Sequence, residues 1–134
     1  MSCWTFASTA AATIAPTVRL ESLKRLATDR RIAVLISRET FSAAMQFVID
    51  LEQQTSAIFV GEPTGGSPNH FGNATTFQLP NTGLNAHVAT FAWTTAGGDD
   101  KRLTCDPDIV VTGESGPFFA GEDRTLSAAL AEVP

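Results

Sequence analysis

The chain has little of what metal, redox or nucleic-acid chemistry requires. Its two cysteines, Cys3 and Cys105, stand far apart with no Cys-x-x-Cys spacing, so neither a zinc site nor a thiol redox pair is expected. They read as two unrelated small apolar residues. Charged residues make up 17% of the chain, the formal net charge is −5, and the bases cluster only as Lys24, Arg25, Arg30 and Arg31. That leaves no electrostatic footprint for a phosphate backbone and excludes nucleic acid as the expected partner. No apolar run approaches the ~20 residues of a membrane helix. The start has no Lys or Arg before Arg19 and no sustained apolar stretch, so it does not read as a signal peptide, and the compartment is left open. No motif asks for a cofactor or a metal, and there is no internal repeat.

What is present is the composition of a globular chain: 43% hydrophobic residues, ten glycines and seven prolines in 134 residues. That length bounds it to one domain or part of one. Residues 1–22 form a Thr/Ala-rich lead that gives way, near Pro16, to a helical spacing of Val18, Leu20, Leu23 and Leu26. Arg31-Ile-Ala-Val-Leu-Ile36 is a short continuous apolar run, the mark of a strand buried on both faces in a parallel sheet. Thr40 offers an N-cap, and Ala43, Ala44, Phe47, Val48 and Leu51 predict a helix over about 41–54. Ala57-Ile-Phe-Val60 predicts a second strand, completing a right-handed crossover unit. The segment from Glu62 to Asn69 is a loop by its glycines and prolines. Alternation over 75–79 and 84–93 around Pro80-Asn-Thr-Gly83 predicts a β-hairpin. A short extended piece at 107–111 and a closing helix over 122–132 follow.

Ser42 falls in the first turn of the predicted helix. Free N–H groups and the helix dipole there favour a developing negative charge, although serine is also common there as a structural cap. Three segments read together narrow the choice. Val34-Leu-Ile-Ser-Arg-Glu-Thr-Phe-Ser-Ala-Ala44, Phe59-Val-Gly-Glu-Pro-Thr-Gly-Gly-Ser-Pro-Asn-His-Phe-Gly72 and Phe77-Gln-Leu-Pro-Asn-Thr-Gly-Leu84 resemble, in order and spacing, the catalytic core of the tail-specific (C-terminal processing) serine peptidases. The resemblance covers about Leu23 to Val111. It implies an α/β fold, part of a crotonase-like or ClpP-like αβ superhelix, with the hairpin and closing helix added, and it makes 23–134 the C-terminal part of such a catalytic domain. It places Ser42 as the nucleophile, the N–H of Ala43 as one oxyanion donor, and Gly65, Gly66, Ser67 and His70 along the substrate cleft.

The chain departs from that family's pattern in ways that bear on activity. Ser67 stands where many members carry the lysine base of a Ser/Lys dyad, and Lys101, the one lysine after Ser42, lies on a different loop. The tricorn-type branch, which lacks the lysine, takes a histidine from far upstream of the nucleophile. No histidine precedes Ser42 here, and the upstream Asp-x-Arg-x-Asn-x-Gly-Gly segment that completes the oxyanion hole is absent. His70 is the candidate base within reach of the loop, with loop-shaping as its other reading. His87 is expected to be a surface or packing residue. Asp100, with Asp99, falls where the tricorn-type branch places its acid, a solvated turn being the alternative. Two readings follow: a serine peptidase core that takes a polypeptide substrate and needs a missing N-terminal segment or another chain, or an inactive remnant that at most binds peptide.

Overall fold

The computed structural model describes residues 23–25 and 31–133. Leu23 to Arg25 are helical, and the remainder of the expected leading helix, with the lead 1–22, lies outside the described residues. The elements that follow are β1 (Ala33–Ile36), α1 (Ala43–Gln54), β2 (Ile58–Gly61), β3 (His70–Gln78), β4 (Asn85–Trp93), β5 (Ile109–Val110), α2 (Ser115–Phe119) and α3 (Arg124–Glu132).

The crossover unit forms as the apolar runs predict. β1 and β2 are parallel neighbours, Val34 opposite Phe59 and Ile36 opposite Gly61, and β5 pairs in parallel with the other edge of β2. Strand parity sorts their side chains. Val34, Ile36 and Phe59 join Met45, Val48, Ile49 and Leu51 of α1 in one apolar cluster with Cys105. Val60, of opposite parity, is fully buried on the other face, where α3 packs on β1 and β2 with Ala129 inward. Met45, Ile49 and Leu51 are fully buried, each contributing on the order of 1.5–3 kcal/mol of burial free energy. β5 is too short to pair with all of β2, and the Asp108 carboxylate fills the gap by accepting the Phe59 N–H at 2.8 Å. Asp123 caps α3 by accepting from the N–H of Leu126 at 2.8 Å.

Two boundaries differ from the sequence reading. Thr40 is not the cap of α1: its hydroxyl accepts from the N–H of Ser37 and its own N–H returns to the Ser37 carbonyl, so it closes a turn before the helix. The N-cap position is Ser42 itself. The hairpin begins at His70, five residues earlier than the alternation suggested, because the turn-prone Asn69, Gly72 and Asn73 conceal a strand. Asn73 takes a positive φ of 52° without shifting the register, which is the same from His70–Trp93 to Gly72–Phe91 before it and from Ala74–Ala89 to Gln78–Asn85 after it. The hairpin also stands clear of the core, with both of its faces largely exposed.

Candidate active site

Ser42 is held in a backbone conformation that L-residues avoid. Its φ of 55° and ψ of −119° match the first central position of a type II′ turn, where glycine dominates. The turn reverses the chain between the end of β1 and the start of α1, and it leaves Ser42 exposed, with its hydroxyl making no capping bond to the helix. A serine cap normally adopts extended angles and spends its oxygen on an orphan N–H. Here the N–H groups of Ala44 and Met45 turn back to the carbonyls of Phe41 and Ser42 at 3.2 and 2.9 Å, and Ala43 carries the first orphan donor of the helix. A hydroxyl and an N–H are thus presented together at the positive end of a 12-residue helix.

The strain has a measurable consequence. A non-glycine residue in such a region costs roughly 1–3 kcal/mol, whereas glycine adopts it freely at a smaller penalty in unfolded-chain entropy. Ser42→Gly is expected to be more stable than Ser42→Ala by about 1–2 kcal/mol in chemical denaturation, because alanine keeps the strain and glycine releases it. Equal stabilities would show that position 42 is relaxed.

The loop after β2 packs against the segment that carries Ser42. Gly65 donates its N–H to the Thr40 carbonyl at 3.2 Å, and a Cβ built on Gly65 would fall inside the Arg38 carbonyl oxygen. Gly66 is buried, and a Cβ there would meet Met45 Cγ at 3.0 Å and the exposed Phe41 ring at 3.1 Å. Gly65 therefore permits a contact between backbones, and Gly66 one between its backbone and the Met45 and Phe41 side chains, that an added side chain would force apart. Thr64 holds the turn from beneath. Its buried hydroxyl donates to the Gly66 carbonyl at 2.9 Å and accepts from the Cys105 N–H at 2.8 Å, while its own N–H reaches the Cys105 carbonyl at 3.0 Å. Glu62 ties the loop's start to Gly113, accepting that N–H at 3.0 Å.

Of the other expected site residues, Ser67 and His70 follow on the same loop. Ser67 donates its hydroxyl to the Asn69 carbonyl at 2.6 Å, so it shapes the turn. His70 opens β3 opposite Trp93, and its Nδ1 is buried without a hydrogen-bond partner. Asn69 links this loop to the one after β4, donating to the carbonyls of Gly97 and Asp100 and accepting from the Ala96 N–H. Asp100 therefore lies on the neighbouring loop, but its carboxylate is taken up by Arg102 at 2.7 Å. Arg102 hydrogen bonds hold that carboxyl below its usual pKa, and Arg102, bidentate to Glu52 at 2.7 and 2.8 Å, is in turn pushed above the ordinary arginine value by Glu52 and then Asp100. His87 lies in an exposed cross-strand pair with Thr76, Nδ1 to Oγ1 2.9 Å, as its surface reading implied. The buried Cys105 thiol is pushed up to about 11 by burial, which leaves it a protonated core residue. Among the described residues no His/Cys/Asp/Glu cluster could hold a metal ion.

Sequence reasoning missed Thr64 and Phe41. Thr64 was visible only as part of a Gly/Pro-rich loop, where a threonine is normally solvated, and nothing local marks that its hydroxyl is clamped between two backbones. Phe41 reads as one more apolar residue of the helix start, yet it is 63% exposed beside Ser42.

A parallel sheet thus carries a strained serine at a helix N-terminus, with a glycine turn packed on the segment that leads into it. The chain belongs to peptidase family S41, whose family model matches residues 6–111. It is also similar in fold to the crystal structure of a candidate peptidase from Parabacteroides merdae ATCC 43184, with a TM-score of 0.52 at 22% identity. That likeness covers 78% of this chain and 32% of the other, so this chain spans about a third of the length of the structure it matches. No curated protein matches it.

Proposed function

We propose that this chain is the nucleophile-bearing, C-terminal part of a tail-specific serine peptidase domain, built on a crotonase-like superhelix and resembling the lysine-lacking tricorn-type branch. The observation that carries the reading is Ser42: a strained backbone, an uncommitted exposed hydroxyl and an orphan N–H beside it, in a chain of family S41. In the reaction, Ser42 Oγ attacks the scissile carbonyl of a polypeptide and its proton passes to a base. The oxyanion of the tetrahedral adduct is met by the Ala43 N–H, the C–N bond breaks as the amine takes the proton, and water releases the acyl group from Ser42. Gly65, Gly66 and Ser67 line the cleft along which the substrate lies. Phe41 flanks it.

The base is the incomplete part. Ser67 replaces the dyad lysine, and its hydroxyl already serves the Asn69 carbonyl. Asp100 serves Arg102. His70 offers an unpartnered ring nitrogen, but it is buried. The complete site on this reading draws its base and the second oxyanion donor from sequence outside this chain or from another chain. The rival reading, a non-catalytic remnant that binds peptide, shares the fold and differs in whether Ser42 is activatable.

Fluorophosphonate labelling with peptide mapping separates them. The unaided chain is expected to label no faster than Ser42→Ala, since a serine hydroxyl needs a base within about 2.6–3.2 Å or a water bridge. Added imidazole, a soluble substitute for that base, is expected to raise labelling at Ser42 at least ~10-fold while Ser42→Ala stays flat. Imidazole-promoted labelling spread over other serines, or none at all, would overturn the peptidase reading.

A further inference from the structure

We propose that the apolar face of the β3–β4 hairpin is a self-association surface, pairing face to face with the same surface on a second copy of the chain. Cross-strand partners share a face, so Phe71 with Ala92, Thr75 with Val88 and Phe77 with Ala86 lie on one side of the ribbon. Leu79 and Leu84 extend that side at its tip, joined by the Leu79 N–H to Leu84 carbonyl bond of 2.8 Å. The opposite side carries Thr76, His87, Gln78 and Asn85, with Phe91 against Trp93 in a tilted arrangement, ring centroids 4.7 Å apart. On the apolar side Phe71 is 79% exposed, Leu84 64%, Val88 54%, Phe77 47% and Leu79 38%.

Two properties of this face point to a second copy as its occupant. The first is charge. No Asp, Glu, Lys or Arg occurs anywhere between residues 63 and 98, so the whole net charge of −5 lies elsewhere on the chain. Two copies repel one another except through this segment, and face-to-face pairing there opposes no like charges. Exposed strands usually carry charged residues that block self-pairing, and this hairpin has none. The second is area. The five exposed side chains offer roughly 550 Å² per copy, on the basis of about 150–250 Å² for each large apolar group. Two copies together bury roughly 1,100 Å², just above the ~1,000 Å² a specific interface needs. A two-stranded ribbon alone is marginal in water, so the pairing also stabilises the hairpin.

Sedimentation velocity on the chain under reducing conditions, so that Cys3 forms no intermolecular disulfide, tests the proposal. The chain is expected to sediment at twice its 14.2 kDa mass at about 50 µM and to dissociate on dilution. Val88→Lys and Phe77→Lys, each placing a cation within the apolar face that pairing would bury, are expected to give monomers. Thr76→Lys, on the opposite side of the same strand, is expected to leave the dimer intact. Val88→Thr keeps the strand preference, and is expected to weaken association at least several-fold even if the lysine variants disturb the hairpin. A monomer at about 200 µM, open-ended aggregates, or equal effects of lysine on both sides would each overturn the proposal.

Discussion

Gly65→Ala is expected to be among the most damaging single substitutions in the chain, lowering stability by about 3 kcal/mol or more. The added Cβ would overlap the Arg38 carbonyl oxygen, which is backbone and cannot rotate away. Relief requires the turn to lift off the segment leading into Ser42, breaking the Gly65 N–H to Thr40 carbonyl bond of 3.2 Å. Gly66 would move with it, opening the contact with Met45 and Phe41. Thermal unfolding is expected to shift down by roughly 10 °C for a domain of this size. Gly98→Ala, where nothing lies within 4 Å of an added Cβ, is the matched control and is expected to shift it by about a degree or two at most. A Gly65→Ala chain as stable as the control would mean that the turn does not press on the segment leading into Ser42.

Thr64→Val is expected to cost about 2–4 kcal/mol although it changes almost no volume. Valine keeps the shape and removes the hydroxyl, which leaves the buried Cys105 N–H without its 2.8 Å acceptor and the Gly66 carbonyl without its 2.9 Å donor. Each unsatisfied buried group costs roughly 1–3 kcal/mol. Thr64→Ser retains both bonds and is expected to recover most of the loss, since only a methyl is deleted. If valine and serine destabilise equally, packing rather than the double hydrogen bond explains Thr64.

The crossover unit was legible because β1, α1 and β2 each carry an apolar pattern that only burial satisfies: Ile36, Ile49 and Val60 have no other destination. Their boundaries shifted by one or two residues. The position of Ser42 was legible from its spacing to the helix, but its backbone strain was not, because serine gives no local sign of a positive φ as glycine does. Thr40 misled as a cap because the turn it closes has the same composition as a helix start. The early start of β3 was hidden behind Gly72 and Asn73, whose turn preference the cross-strand ladder overrides. The short α2 was not anticipated, since Ser115-Gly-Pro-Phe-Phe119 has the residues of a loop. Pairings between distant segments, such as Thr64 with Cys105 or Arg102 with Glu52, lie beyond any local pattern.

The central claim is that the start of α1 is built to stabilise negative charge at position 42. It is tested most directly by replacing the hydroxyl with a group that ionises in an accessible range. In a Cys3→Ser background, Ser42→Cys puts a thiol beside the Ala43 N–H and the helix dipole, while Cys105, buried and pushed up to about 11, stays silent. The pH dependence of iodoacetamide alkylation at the introduced thiol reports its pKa without needing a base or a substrate. An exposed thiol titrates near ~8.5, and at helix N-termini the value falls by about one unit or more. The account predicts a value of about 7.5 or lower, and a thiol that titrates at or above ~8.5 would contradict it.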